Sequence, residues 1–255
     1  MVVTVEISGI LEEKLRRLVE LGVYSSVAEA VRDAVRNMID KMDLVDIALQ
    51  LYINKDASFQ YISYFASKPY KVMIDIMLSQ EILPLLGART GEELRDPEPG
   101  TYVIDPFTAF VIYESDIHDI LEEKTNSGGY RFLYPEAGKP QLEVYMARRL
   151  SRGRRATNIM HIAPIPVPTE PPRHLVTHIE EALVSYAEAA GAILLSDDIR
   201  TREYARKRGV EAYSTLSLLK DSIARGIVSF ERAVEIIYSV KSIPLLVPDT
   251  IIPTR

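Results

Sequence analysis

Cysteine is absent from this 255-residue chain. Its absence excludes disulfides, thiolate zinc sites and a cysteine nucleophile together, and suits a reducing compartment. Histidine is scarce, at four residues, and only His174 and His178 share a helical spacing, a pair more often solvated than metal-ligating. No apolar run approaches the roughly 18 residues that span a bilayer. The N-terminus also lacks the charged start and apolar core of a secretion signal, so a cytoplasmic protein without membrane contact is expected. Positive charge is in deficit: 30 Lys and Arg face 36 Asp and Glu, a net charge of −6. That argues against nonspecific coating of nucleic acid but leaves room for a local basic groove. What remains is ordinary globular material, 47% hydrophobic and 26% charged, long enough for one large domain or two to three small ones.

The most informative stretch is GAILLSDDIRTREYARKRGVEAYSTLSLL, Gly191 to Leu219. An apolar strand, Ala192 to Leu195, ends in Asp197 and Asp198, and a basic helix follows. Side chains at the carboxyl end of a buried strand project into the crevice where open α/β sheets bind ligands. Two carboxylates there repel each other unless a cation sits between them, and a hard ion such as Mg²⁺ suits such a pair. An aspartate at this position also caps a helix without any metal, and one of the two is expected to do so.

Three segments follow from the pattern. Residues 1–43 open with alternation: Val3, Val5 and Ile7 against Thr4 and Glu6, a half-buried strand. Ser8 precedes a helix, ILEEKLRRLVELG, closed by Gly22. After the Tyr24-Ser25-Ser26 turn, VAEAVRDAVRNMIDKM places Val27, Ala30, Val31, Ala34, Val35 and Met38 on one helical face. One strand and two short helices cannot bury that face alone, so a partner chain is needed. GVYSSVAEAVRDAVR and the strand before it resemble the ribbon-helix-helix fold of Arc- and MetJ-type repressors. The resemblance implies a homodimer through the N-terminal strand, with paired strands that can enter the major groove. Thr4 is the outward polar group left to contact a base, while Glu6 brings the wrong sign to phosphate, so duplex DNA binding is expected to be weak.

Residues 44–100 read as amphipathic helices broken at Lys68-Pro69. Asp75, inside KVMIDIML, fits a helix better than a strand end. The pattern resembles small helical antitoxins, and GARTGEELRDPEPG reads as a closing linker.

Residues 101–255 alternate strands and helices, which argues for a parallel sheet in an α/β domain. VIDPFTAF, PQLEVYM and IEEALVSYAEAAGAILLSDD together resemble the PIN domain, a ribonuclease fold of many toxin–antitoxin toxins. That resemblance implies a three-layer α/β domain whose catalytic and metal-binding acids are Asp105, Glu143, Glu180 and Asp197 or Asp198, around Mg²⁺ or Mn²⁺. It implies metal activation of a water for attack on an RNA phosphodiester. The basic groups Arg148, Arg149, Arg152, Arg154 and Arg155, and Arg200, Arg202, Arg206, Lys207 and Arg208, then either line an RNA groove or form a salt-bridged face. The whole chain is expected to be a dimeric, PIN-like endoribonuclease fused to an antitoxin-like module, with restraint in cis as one arrangement. The alternative is a DNA-binding regulator with a silent PIN-like domain.

Overall fold

A computed structural model describes residues 4–170, 172 and 174–251, without the side chain of Glu92. In chain order the elements are α1 (Ile10–Glu20), α2 (Val27–Asp40), α3 (Leu44–Lys55), α4 (Phe59–Phe65), α5 (Tyr70–Ser79), β1 (Gly100–Ile104), α6 (Pro106–Glu114), α7 (Ile117–Asn126), β2 (Tyr130–Pro135), α8 (Lys139–Ser151), β3 (Met160–Ala163), α9 (His178–Ala190), β4 (Ile193–Leu195), α10 (Ile199–Lys207), β5 (Ala212–Tyr213), α11 (Thr215–Ala224) and α12 (Phe230–Lys241).

The five strands form one parallel sheet in the order β3-β2-β1-β4-β5, the α/β architecture expected from the alternating pattern. Strand β1 is central, with Val103 in register with Leu133 on one side and Leu194 on the other. Side chains alternate across a strand, so its two faces feed two cores. Tyr102, Ile104, Phe132 and Leu195 pack among residues of α3–α8, α11 and α12. Val103, Leu133 and Leu194 pack against Ala182, Leu183 and Val184 of α9 and Tyr204 and Ala205 of α10. The result is three layers.

The middle helices belong to the first of these cores: Leu49 and Tyr52 of α3, Phe59 and Ile62 of α4, and Met73 and Met77 of α5 are all buried in it. Lys68 and Pro69 separate α4 from α5, and Asp75 lies exposed on α5. Within the expected linker, Gly87 is anchored on both sides: its N–H donates to the Asp197 carbonyl at 2.7 Å, and the next amide, Ala88, donates to Leu246 at 2.8 Å. Its φ is +85°, and an added Cβ would lie 2.4 Å from the Leu246 carbonyl oxygen. Gly87→Ala therefore costs on the order of 3 kcal/mol, read as a fall in Tm by calorimetry.

The N-terminal helices stand apart from both cores. Ser26 caps α2 by accepting from Glu29 N–H at 3.2 Å, and Gly22, at φ +70°, ends α1, both as the sequence suggests. Residues 4–8 carry no strand in the single chain, and Val2 and Val3 lie outside the described residues. Leu15 and Ala30 are buried between α1 and α2 and join neither core, while Val35 and Met38 on the expected face are 46% and 52% exposed.

Candidate active site

With β1 flanked by β2 on one side and β4 on the other, the chain's direction of progress reverses between β1 and β4. The crevice beyond the carboxyl ends of those two strands is where open α/β sheets place their ligands. Asp105 follows β1, and Asp197 and Asp198 follow β4.

Each acid is placed by a helix N-terminus. Asp105 caps α6, with Pro106 at the first helical position, and accepts from Thr108 N–H at 2.8 Å and the Thr108 hydroxyl at 3.0 Å. The same hydroxyl oxygen accepts from Asp197 N–H at 2.7 Å, tying the two strand ends together. Asp198 caps α10, its Oδ1 accepting from Arg200 N–H at 3.0 Å. Asp197 turns instead to α11, accepting from Thr215 N–H at 2.9 Å and from the Thr215 hydroxyl. Glu180 completes a capping box with Thr177, which fixes its side chain back across the start of α9: Thr177 N–H donates to Oε2 at 2.7 Å.

The middle segment supplies the remaining donors. The Ser58 hydroxyl donates to Glu180 Oε2 at 2.9 Å, and Phe59 N–H, at the start of α4, donates to Asp198 Oδ2 at 2.6 Å. Thr201 donates its hydroxyl to Glu180 Oε1. Gln60 Oε1 accepts from Phe107 N–H at 3.1 Å, locking α4 to α6. Ser58 and Phe59 thus lie across the crevice, and Asp105, Glu180, Asp197 and Asp198 are all fully buried.

Burial dominates their protonation. It pushes Asp105 up to about 8, with the charges of Glu180 and Asp198 adding to the rise. Burial and the Asp198 charge hold Glu180 at about 7. Burial raises Asp197 to about 6, where Thr215 and the Arg202 guanidinium hold it back, and raises Asp198 as well.

In this arrangement the residues do not present a metal site: all four acids are fully buried, and burial holds them toward their protonated forms, which ligate poorly. Among the described residues no group of three or more His, Asp or Glu is placed to hold a cation. Mg²⁺ or Mn²⁺ would have to reach fully buried acids, two of which, Glu180 and Asp198, are bonded by Ser58, Phe59 and Thr201.

Glu143 is a correction to the acid set. Its side chain is 66% exposed and lies 3.9 Å from Lys139 one turn back, because α8 turns Leu142, Tyr145 and Arg149 inward instead. Glu143→Gln should shift stability by less than about 0.5 kcal/mol, as exposed i,i+4 pairs do, measured by urea titration.

Of the two arrangements open to the basic groups, the structure shows buried or salt-bridged contacts for most of those placed here. Arg149 is buried and donates to the carbonyls of Ser115 and Arg155. Arg200 donates to the carbonyls of Tyr52 and Ala57, with its guanidinium 4.0 Å from the Tyr52 ring centroid. Arg202 is buried and donates to Ser196 O at 2.7 Å and Gly87 O at 2.5 Å. These three hold the fold together and present nothing to a phosphate. Arg152, Arg154 and Arg155 pair with Glu114, Asp116 and Glu122. Arg148 stays exposed, as does Thr4, which lies in no strand. Of the histidines, His118 is buried against Thr157 O, and His178 bonds Pro168 O at 3.0 Å.

Ser58, Phe59 and Gln60 carry no acid–base signature and were not expected at the site. Their local signal is Ser58 before FQYISYF, an N-cap that places α4.

No protein-family model matches the chain, and no curated protein matches it. Among solved structures it is similar to a PilT N-terminus domain protein from the hyperthermophilic archaeon Sulfolobus solfataricus P2, at 21% identity. That match covers 48% of this chain and 93% of the other, with a TM-score of 0.29. The reading of the crevice stands on the sheet order and the four acids.

Proposed function

We propose that the chain is a PIN-like nuclease whose carboxylate crevice is held shut in cis by α4. The observation that carries this reading is that Ser58 and Phe59, from a segment that precedes the first strand of the sheet, bond Glu180 and Asp198 directly. A purely structural cap is served as well by Ser, Thr or Asn at no cost in buried charge. Four buried acids converging on the ligand crevice, with protonation displaced by burial, support a functional reading over a structural one. As closed, the acids are engaged and the chain is inactive toward RNA.

The test is to loosen α4. Phe59 is fully buried and packs edge-on to Phe107 with ring centroids 5.0 Å apart. Phe59→Ala removes that anchor at about 3–5 kcal/mol. The wild type should neither cleave single-stranded RNA nor gain thermal stability with Mn²⁺. The variant, shown folded by circular dichroism, should do both, and Asp105→Asn added to it should abolish both. A folded variant that does neither supports the silent regulator instead. Asp105-dependent cleavage by the wild type contradicts closure.

The proposal has a second part: the N-terminal helices are an antitoxin-like module that dimerises. Val5, Ile7, Leu15, Val27 and Val31 line a groove of about 600 Å³ beside α1 and α2. A second copy of the same segment would cover it and pair its strand. Deleting residues 1–8 should convert a dimer into monomer or aggregate in light scattering. An unchanged dimer would place the interface elsewhere.

A further inference from the structure

Beside the sealed crevice, on the other flank of α4, lies a cleft of about 770 Å³ between α4, α8, the 167–169 connector and the start of α9. Clefts of this volume suit a small organic ligand. Its walls are apolar and aromatic, with Tyr64, Tyr70, Tyr145 and Pro106 among them, and among the described residues no carboxylate lines it.

Two polar groups inside it are unusual. Gln60 and Ser63 are each 2% exposed, and Gln60 Nε2 and Ser63 Oγ have no hydrogen-bond partner among the described residues. The other end of the Gln60 amide is fixed, because Oε1 accepts from Phe107 N–H and from the Tyr70 hydroxyl at 3.3 Å. Its N–H₂ is therefore held in one orientation, as a preset donor. Buried donors left unpaired cost free energy that a ligand acceptor recovers. Lys68 lines the same cleft and, among the described lining residues, carries its only full positive charge; His178 is also in the lining.

We infer that this cleft binds a nucleoside monophosphate. The planar base lies against the tyrosines, with its acceptor edge toward Gln60 Nε2 and Ser63 Oγ, and the phosphate meets Lys68. The seat holds none of the carboxylates but adjoins them through Pro106 and Thr177, and binding there does not depend on cleavage. Because α4 carries both the cleft donors and the residues that bond Glu180 and Asp198, occupancy favours the closed form.

The experiment is isothermal titration of the intact chain in EDTA with AMP, UMP, adenosine and inorganic phosphate. A mononucleotide should bind, its nucleoside more weakly, and phosphate alone not at all. Lys68→Ala should weaken the nucleotide roughly tenfold and leave adenosine unchanged. Ser63→Ala, which removes an oxygen that holds nothing in the fold, should weaken both about fivefold. The inference is overturned by no heat from either nucleotide, by phosphate binding as well as AMP, or by both variants binding as wild type does.

Discussion

Replacing Asp105 with asparagine raises thermal stability at pH 8 and flattens its dependence on pH. Asparagine caps a helix as well as aspartate does, so the Thr108 N–H keeps its acceptor. What changes is the charge, and the Thr108 hydroxyl loses its acceptor at Oδ2, a smaller loss of about 1 kcal/mol. The folded pKa of Asp105 is about 8, raised by burial above the ordinary 3.8. The fold therefore prefers the protonated acid. Its contribution is complete below pH 3.8 and is lost as pH rises through about 8, on the order of 4 kcal/mol between pH 4 and pH 7. Glu180, raised to about 7, and Asp197, raised to about 6, act in the same direction. Wild-type Tm, measured in EDTA, should fall steadily from pH 5 to pH 8, and the variant should fall less. A variant less stable than wild type at pH 8 would mean that Asp105 ionises without penalty, and that the crevice is open to water.

The second large effect belongs to Arg202. Arg202→Met keeps most of the side-chain volume but strips the Ser196 and Gly87 carbonyls of their donor. It also removes the cation that steadies Asp197 and lies 3.5 Å from Glu93. Breaking a buried charge's network in this way costs about 3–5 kcal/mol, or on the order of 10 °C in Tm for a chain of this length. The result separates two roles. A residue that only contacts RNA would lose binding and keep its Tm. Arg202 should lose Tm first.

The sequence made the sheet legible because strand and helix periods alternate cleanly after residue 100, and because Asp105 directly follows one strand while Asp197 and Asp198 lie within three residues of the end of another. Glu180 was legible by count, and more firmly by its T-x-x-E box with Thr177, a local signal that specifies the side-chain direction. Glu143 misled because an acid one-third of a turn away from Leu142 on α8 looks the same in a string, and only packing decides which face turns inward. The arginines misled for a related reason: a run of basic residues reads as a surface until carbonyls such as Ser115 O and Gly87 O turn out to need donors. Restraint in cis by the middle segment was one arrangement the sequence allowed, but that Ser58 and Phe59 would be the groups to bond the acids was not legible. A serine hydroxyl and a backbone amide carry no chemical signature, and they meet Glu180 and Asp198 across separations of 122 and 139 residues.

The most direct test of closure is a crystal of the wild-type chain soaked in Mn²⁺ and measured at the manganese absorption edge. The account predicts no anomalous density among Asp105, Glu180, Asp197 and Asp198, with Phe59 N–H still on Asp198 and the Ser58 hydroxyl still on Glu180. Manganese bound between those carboxylates while α4 keeps its place would contradict it.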